Sequence, residues 1–565
     1  MRISKLYIEN FRSIKKLEVE LPQVCAFVGP NNAGKSNILQ AIYRAIGRDW
    51  VSKSSFNEED VYGHGPERDI VIKLSFDPPL QYRKFKHADP VDITTLSFEF
   101  TRYKVGEEEG QRRLEQKCFA ANGKPPQVLT KAPRKGEAHQ YAPLVNIPSE
   151  VRESIPLIYI DTNRSLKDHL PGARNSLLRQ LFEDINKDLK DPDRTIKIKR
   201  PDGNEEEVSR SEHFKMLMEA ALDLLRTDKF VELESAIKRN ALRLLGFDPN
   251  IDSDKLDFHF CPFDSMDFYK ALDLKVREGD FEVSATELGE GIQNALVLSI
   301  LQAFEERRKQ GAILLIEEPE MFLHPQMQRS LYKTLREVGK TNQVIYTTHS
   351  PHFVAVPDYN EVVMVRKGDA GTTTKLSNLA TDARRREKLL KELDPERNEL
   401  FFATHLLLVE GDTEKLALPE YAKRLDCDLD YSGATIVEVG GKHNLPELAS
   451  IAISFGIPTG ILYDADSGKS EAENEELNKK LDSFAKSDGT VKVWKFAHDY
   501  EAQLRETVGE AKYQELCQKY SGYNKATRAR LIAIEADISI PEPIGEIIKW
   551  LANKPETKDA PEEKE

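Results

Sequence analysis

Leu406-Leu407-Leu408-Val409-Glu410-Gly411-Asp412-Thr413-Glu414 is an apolar run that stops on carboxylates, and Gly460-Ile461-Leu462-Tyr463-Asp464-Ala465-Asp466 repeats the form further along. Such runs predict buried parallel strands whose carboxyl ends open on a crevice. Open α/β sheets bind their ligands there. Glu410, Glu414, Asp464 and Asp466 would repel one another unless a cation neutralised them. Oxygen donors without His or Cys suit Mg²⁺ or Mn²⁺. The pattern predicts a divalent-metal site for phosphodiester chemistry. Solvated turn carboxylates would account for any one of these residues, but not for the combination.

The 565 residues leave room for roughly two to four domains at ~100–200 residues each. No apolar run approaches the ~18–20 residues that would span a membrane. Met1-Arg2-Ile3-Ser4-Lys5 leads into an alternating segment rather than an apolar signal core, which predicts a cytoplasmic protein. Cys25, Cys118, Cys261, Cys427 and Cys517 are too scattered for a zinc knuckle or a redox pair and read as reduced thiols. A formal charge of −14 argues against coating nucleic acid by bulk electrostatics, but not against a nuclease. The basic stretches at 197–200, 384–386 and 525–530 read as solvated helix faces.

Upstream, Gly29-Pro30-Asn31-Asn32-Ala33-Gly34-Lys35-Ser36 fits the P-loop pattern, with a short apolar strand before it and a helix after it. Asn32, Ala33, Gly34, Lys35, Ser36 and Asn37 are expected to cradle ATP phosphates: backbone N–H groups bind oxygens, Lys35 adds charge and Ser36 can ligate Mg²⁺. Ala312-Ile313-Leu314-Leu315-Ile316-Glu317-Glu318 has the form of a Walker B strand, with Glu317 toward the metal shell and Glu318 as general base. Thr347-Thr348-His349-Ser350-Pro351 would place His349 at the γ-phosphate. Gly289-Glu290-Gly291-Ile292-Gln293 is either a signature loop or a simple helix start. Nearly half the chain separates Lys35 from Glu317, so a large insertion must divide the ATPase. Helical spacing from Gly172 to about Leu245 supplies one, and the polar 104–147 region reads as a long exposed loop. Strand patterns return at 256–283, and Thr381–Asn398 reads as a charged helical linker.

Asn10-Phe11-Arg12-Ser13, the P-loop, Glu317-Glu318-Pro319-Glu320 with Leu323-His324-Pro325, and Thr348-His349-Ser350 together resemble the ABC-type heads of the SMC and RecF class. The Glu410 and Asp464-x-Asp466 pair resembles a Toprim domain. Their order resembles the OLD (overcoming lysogenization defect) family of ATP-dependent nucleases, which includes the Gabija anti-phage nuclease subunit. The fold this implies is α/β: an ABC/SMC-like head with an inserted helical dimerisation module, then a Rossmann-like Toprim domain. The expected boundaries are 1–171 and 251–380 for the head, 172–250 for the insertion, 400–550 for the Toprim domain and 551–565 for a disordered tail.

The resemblance implies metal binding by Glu410, Glu414, Asp464 and Asp466, ATP hydrolysis by Glu317 and Glu318, and γ-phosphate sensing by His349. It also implies a late acidic residue, best matched by Glu501 with Asp499 as competitor, and a basic residue, best matched by Lys525 with Arg528 as competitor. The departure is at Gly289, where no Ser precedes the glycines, so closure of paired heads is in question. The implied activity is ATP-regulated, metal-dependent DNA endonuclease chemistry in anti-phage defence, with one or two Mg²⁺ or Mn²⁺ ions per Toprim site. The implied partners are DNA, a second or further copy of the chain, and a helicase. A RecF-like repair mediator would explain the head alone and leave the Toprim carboxylates without a role. A topoisomerase would need strand-gate modules, and a primase would commonly bring a zinc module.

Overall fold

In the computed structural model the described residues are 1–47, 51–65, 67–102, 110–132, 139–162, 166–173, 176–199, 205–251, 255–256, 264–278, 281–307, 311–379, 395–465 and 472–552. The chain divides into two compact units, Met1–Thr162 with Gln310–Glu565, and Asn163–Lys309. The expected disordered tail lies almost wholly outside the described residues, and only Pro395–Asn398 of the charged linker lies within them, as a short helix.

In the first unit, β1 (Arg2–Phe11) and β2 (Ile14–Glu20) bury alternate residues, as one-sided strands do. β3 (Val24–Val28) is buried throughout and runs into the P-loop, followed by α1 (Lys35–Ile46). β4 (Ile70–Tyr82), β5 (Val91–Arg102) and β6 (Arg112–Phe119) complete an antiparallel sheet of order β2-β1-β4-β5-β6. β7 (Gln127–Leu129) and β8 (Tyr141–Pro143) form a hairpin, and β9 (Leu157–Ile160) returns to the head. β6 and this hairpin occupy much of the region expected to be one exposed loop. The sequence disguises β6 because its partly buried face carries paired charges: Lys117 meets Glu99 of β5 at 2.7 Å and, along its own strand, Glu115 at 2.6 Å.

The second unit holds α2 (Leu177–Lys190), the hairpin of β10 (Thr195–Lys199) and β11 (Glu205–Ser209), α3 (Arg210–Leu225) and α4 (Asp228–Leu244). Ser209 and Thr227 cap the last two helices by accepting from the Glu212 and Phe230 backbone N–H groups. β12 (Lys275–Glu278), β13 (Phe281–Ser284) and α5 (Glu290–Arg307) belong to the same unit, which is therefore wider than the 172–250 span set by helical spacing. Lys275, Arg277, Glu278 and Glu282 make β12 and β13 too polar for a sheet covered on both faces, and these strands pair with each other.

Back in the first unit, β14 (Ile313–Glu317), α6 (Pro325–Val338), β15 (Gln343–Thr348), β16 (Val362–Gly368) and β17 (Gly371–Leu376) complete a six-stranded sheet of order β17-β16-β3-β15-β14-β9. All neighbours are parallel except β17. The second α/β layer is β18 (His405–Val409), α7 (Asp412–Arg424), β19 (Ala434–Glu438), α8 (Leu445–Ser454), β20 (Thr459–Asp464), β21 (Val491–Phe496), α9 (Tyr500–Val508), α10 (Lys525–Ile534) and α11 (Ile544–Ala552). Its parallel sheet runs β19-β18-β20-β21. Leu407, Val409, Tyr421, Phe496, Ile547 and Trp550 fill the core between this sheet and its helices.

Candidate functional site

Strand order builds the first site. β15 lies between β3 and β14, with Thr348 opposite Val28 and Thr347 opposite Glu317, so three distant segments end side by side. Lys35 is buried to 5% exposure, and its ammonium donates to the Gly29 and Pro30 carbonyls at 3.0 and 3.1 Å. It also meets His349 Nε2 at 2.7 Å, and His349 lies 3.5 Å from Glu318. Burial, then the Lys35 charge, holds His349 below its usual range, against the pull of Glu318. Burial lowers Lys35 itself to about 8, against the pull of Glu318 and Glu320. Glu318 has φ +42, an uncommon conformation for a non-glycine residue, and its N–H donates to the Thr347 backbone carbonyl at 3.1 Å. Glu317 accepts from the Tyr159 hydroxyl at 2.6 Å and from Gln40 at 3.5 Å.

The P-loop is braced from behind. Gly34 has φ +100, and a Cβ there would lie 2.3 Å from Thr372 Oγ1, so the close packing requires glycine. Thr372 donates to the Ala33 carbonyl at 2.9 Å and shares a 2.8 Å contact with Ser13, which in turn accepts from Asn37 at 2.8 Å. Asn32 is exposed and Ser36 partly so.

The second site sits where β18 and β20 lie adjacent and parallel, with Val409 opposite Leu462. Glu410 Oε1 accepts from the Asp464 backbone N–H at 2.7 Å, which joins the two carboxylate-bearing strand ends. Glu414, in the first turn of α7, is buried to 7%. Burial chiefly, then the Glu410 charge, raises its carboxyl to about 7, with Lys525 opposing. Lys525, at the start of α10, pairs with Glu501 at 2.8 Å. Burial works against its ammonium, yet Glu501, Asp499 and Asp464 together raise it.

Of the two competitors, Asp499 accepts from the Ala502 N–H at 2.7 Å as the cap of α9, and Arg528 has a buried Nε without a hydrogen-bond partner among the described residues. Asp466 lies outside the described residues. Among the described residues no three His, Cys, Asp or Glu side chains close into a ready cage. The donors nonetheless fit a hard divalent cation: they are carboxylates, and a cation would favour the ionised form that burial and Glu410 disfavour at Glu414.

Sequence reading missed Tyr159 and Gln40 at Glu317, Thr372 behind the P-loop, and Lys442, which donates to the Asp464 carbonyl. Only Lys442 carried a usable signal, the Gly440-Gly441-Lys442 turn just after a strand. Gly289 directly precedes α5 within the insertion unit, where Gln293 folds back to donate to the Leu288 carbonyl at 2.7 Å.

Residues 1–354 match the AAA ATPase domain family, and residues 401–466 match the overcoming lysogenization defect protein-like TOPRIM domain. An OLD nuclease of Thermus scotoductus is 29% identical over 86% of this chain and 86% of its own. The Old nuclease of Escherichia phage P2 is 26% identical over 82% of this chain and 77% of its own. The endonuclease GajA of Bacillus cereus strain VD045 is 22% identical over 83% of this chain and 76% of its own. With a phosphate-binding head assembled from segments on either side of an insertion and carboxylates at the ends of β18 and β20, this chain belongs to the AAA ATPase domain family, carries an OLD-like TOPRIM domain and is homologous to the OLD nucleases.

Proposed function

We propose that this chain is an ATP-binding, metal-dependent DNA endonuclease whose head governs hydrolysis at the Toprim site, and that it acts in anti-phage defence in the cytoplasm. The observation that carries the reading is the junction of Glu410 with the Asp464 backbone, bordered by buried Glu414 and by Lys525. Glu410, Asp464 and Asp466 would hold one Mg²⁺ or Mn²⁺, and Glu414 with Glu501 would help to hold a second. Bound there, such cations supply an activated water and charge stabilisation at the leaving oxygen. Lys525 balances charge developing on the phosphate, and Glu501 holds the ammonium in place. Among the described residues no helix is long and apolar enough to cross a membrane.

A short segment gives the head a physical route to this site. Asn398 donates to the Pro351 carbonyl at 3.0 Å, two residues after His349. Arg397 donates to the Glu438 carbonyl at 3.1 Å, and Glu396 pairs with Lys415 beside Glu414. Displacement of the His349 loop by nucleotide would pull on both β19 and α7.

Supercoiled plasmid incubated with the protein and Mg²⁺, Mn²⁺, Ca²⁺ or chelator, with and without ATP, tests the reading. Nicked or linear product is expected with Mg²⁺ or Mn²⁺, at a rate that ATP changes and that Lys35→Ala makes insensitive to ATP. No cleavage under any of these conditions would favour the RecF-like alternative. Adding a helicase partner would test the remaining expectation about partners.

The lowered Lys35 pKa gives a further expected result. Above pH 8 the free ammonium loses its proton, whereas a bound polyphosphate favours the charged form, so ATP binding takes up protons and weakens as pH rises past 8. Calorimetry at pH 8.5 in two buffers of different protonation heat measures this; equal apparent enthalpies in both would contradict it.

A further inference from the structure

Lys442 is a lysine at 7% exposure in an acidic neighbourhood, and lysines are almost never so buried unless they are paired. Its ammonium donates to the backbone carbonyl of Asp464 and to Asn474 Oδ1 at 2.9 Å, and lies 5.1 Å from the centroid of the Tyr463 ring. The next carbonyl, Ala465, accepts from Asn474 at 3.4 Å and Asn478 at 3.0 Å. Two successive carbonyls of the segment that carries the Asp464-x-Asp466 pattern are thus tied down by side chains.

The loop that delivers Lys442 reaches the other carboxylate strand as well. Gly440 and Gly441 have φ +74 and +110, which lets the chain turn sharply after β19. Gly441 then donates its N–H to the Glu410 carbonyl at 2.9 Å. One turn therefore grips the Glu410 backbone through an N–H and the Asp464 backbone through an ammonium. An apolar side chain of similar length would fill the space but could not donate to a carbonyl, and it would remove one of the positive charges near the clustered carboxylates.

We propose that Lys442 is a positioning residue for the metal carboxylates: by fixing the Asp464 carbonyl against the Gly440-Gly441 turn, it sets the spacing of Asp464 from Glu410. The proposal rests on the metal-site reading given above. Groups that orient metal ligands typically cost about 10- to 100-fold in metal affinity when removed.

The test is Mn²⁺ binding to the full-length protein, followed by electron paramagnetic resonance, for wild type, Lys442→Met, Lys442→Arg, Asn474→Ala and Glu410→Ala. ATP turnover and thermal melting without metal serve as fold controls. Lys442→Met is expected to weaken Mn²⁺ binding by about 10- to 100-fold, with turnover unchanged, and Lys442→Arg to fall between it and wild type. Asn474→Ala, at a partly exposed position, is expected to weaken binding severalfold and keeps the question answerable if Lys442→Met does not fold. Wild-type affinity in Lys442→Met, or in Asn474→Ala where the former is unfolded, would overturn the positioning role while leaving the metal site standing, provided Glu410→Ala loses binding. Wild-type protein that binds no Mn²⁺, or Glu410→Ala that binds normally, would overturn the metal-site reading and this proposal with it.

Discussion

Glu410→Ala or Asp464→Ala is expected to reduce DNA cleavage by more than about a hundredfold, beyond the ~10–100-fold cost of losing a group that merely orients a ligand. ATP binding should remain at the wild-type level. The two effects separate because the sites belong to different sheets: the nucleotide residues end β3, β14 and β15, whereas Glu410 and Asp464 end β18 and β20. Glu410 also accepts from the Asp464 N–H at 2.7 Å, so its loss frees the neighbouring strand end as well as removing a carboxylate. Plasmid nicking with saturating Mn²⁺, alongside equilibrium binding of a fluorescent ATP analogue, measures both quantities. Full nicking by both variants would remove these residues from the catalytic assignment.

The second large effect concerns assembly. α3 and α4 expose Leu217, Leu224 and Leu244, at 57%, 82% and 88%, and Leu245 follows at 64%. Large apolar side chains left exposed on two consecutive helices are candidates for burial against a partner, and the family resemblance makes the expected occupant a second copy of this chain. Burying one leucine contributes about 1.5–3 kcal/mol, and each ~1.4 kcal/mol is tenfold in affinity. Replacing Leu224 and Leu244 in both copies with Asp should therefore weaken a dimer by at least about a hundredfold. Sedimentation at micromolar concentration is expected to give a dimer or larger oligomer for wild type and a monomer for the variant, with Mn²⁺ binding retained. Wild-type protein that is already monomeric, or a variant that assembles unchanged, would exclude this surface.

Both predictions show where local pattern is informative and where it stops. Leu406–Val409 and Gly460–Leu462 could be read as strands because a parallel strand covered on both faces must be apolar throughout, so the first charge marks its end. The P-loop was legible for a related reason, since its backbone geometry restricts residue type at Gly34 and Lys35. β6 was not legible, because Lys117 pairs with Glu99 on β5 and with Glu115 on its own strand, and the segment shows no apolar alternation. Leu217, Leu224 and Leu244 announced helices by their spacing, but spacing alone could not say that these residues would be exposed within their own unit. Glu501 and Lys525 are matched only by position in the chain; the structure pairs them at 2.8 Å, and Asp499 caps α9.

By itself, the sequence determined the kinds of groups this protein brings to its chemistry and which of them terminate strands, because the rules for apolar runs, glycine turns and helix caps act over a few residues. Only the tertiary structure decided which strand ends would be neighbours. The placement of β18 beside β20, and of β15 between β3 and β14, joins Glu410 to Asp464 and Lys35 to His349. The same packing brought Lys442 under the Asp464 carbonyl and Tyr159 onto Glu317. Strand order and register depend on how whole layers bury their faces, and no local pattern encodes that contest.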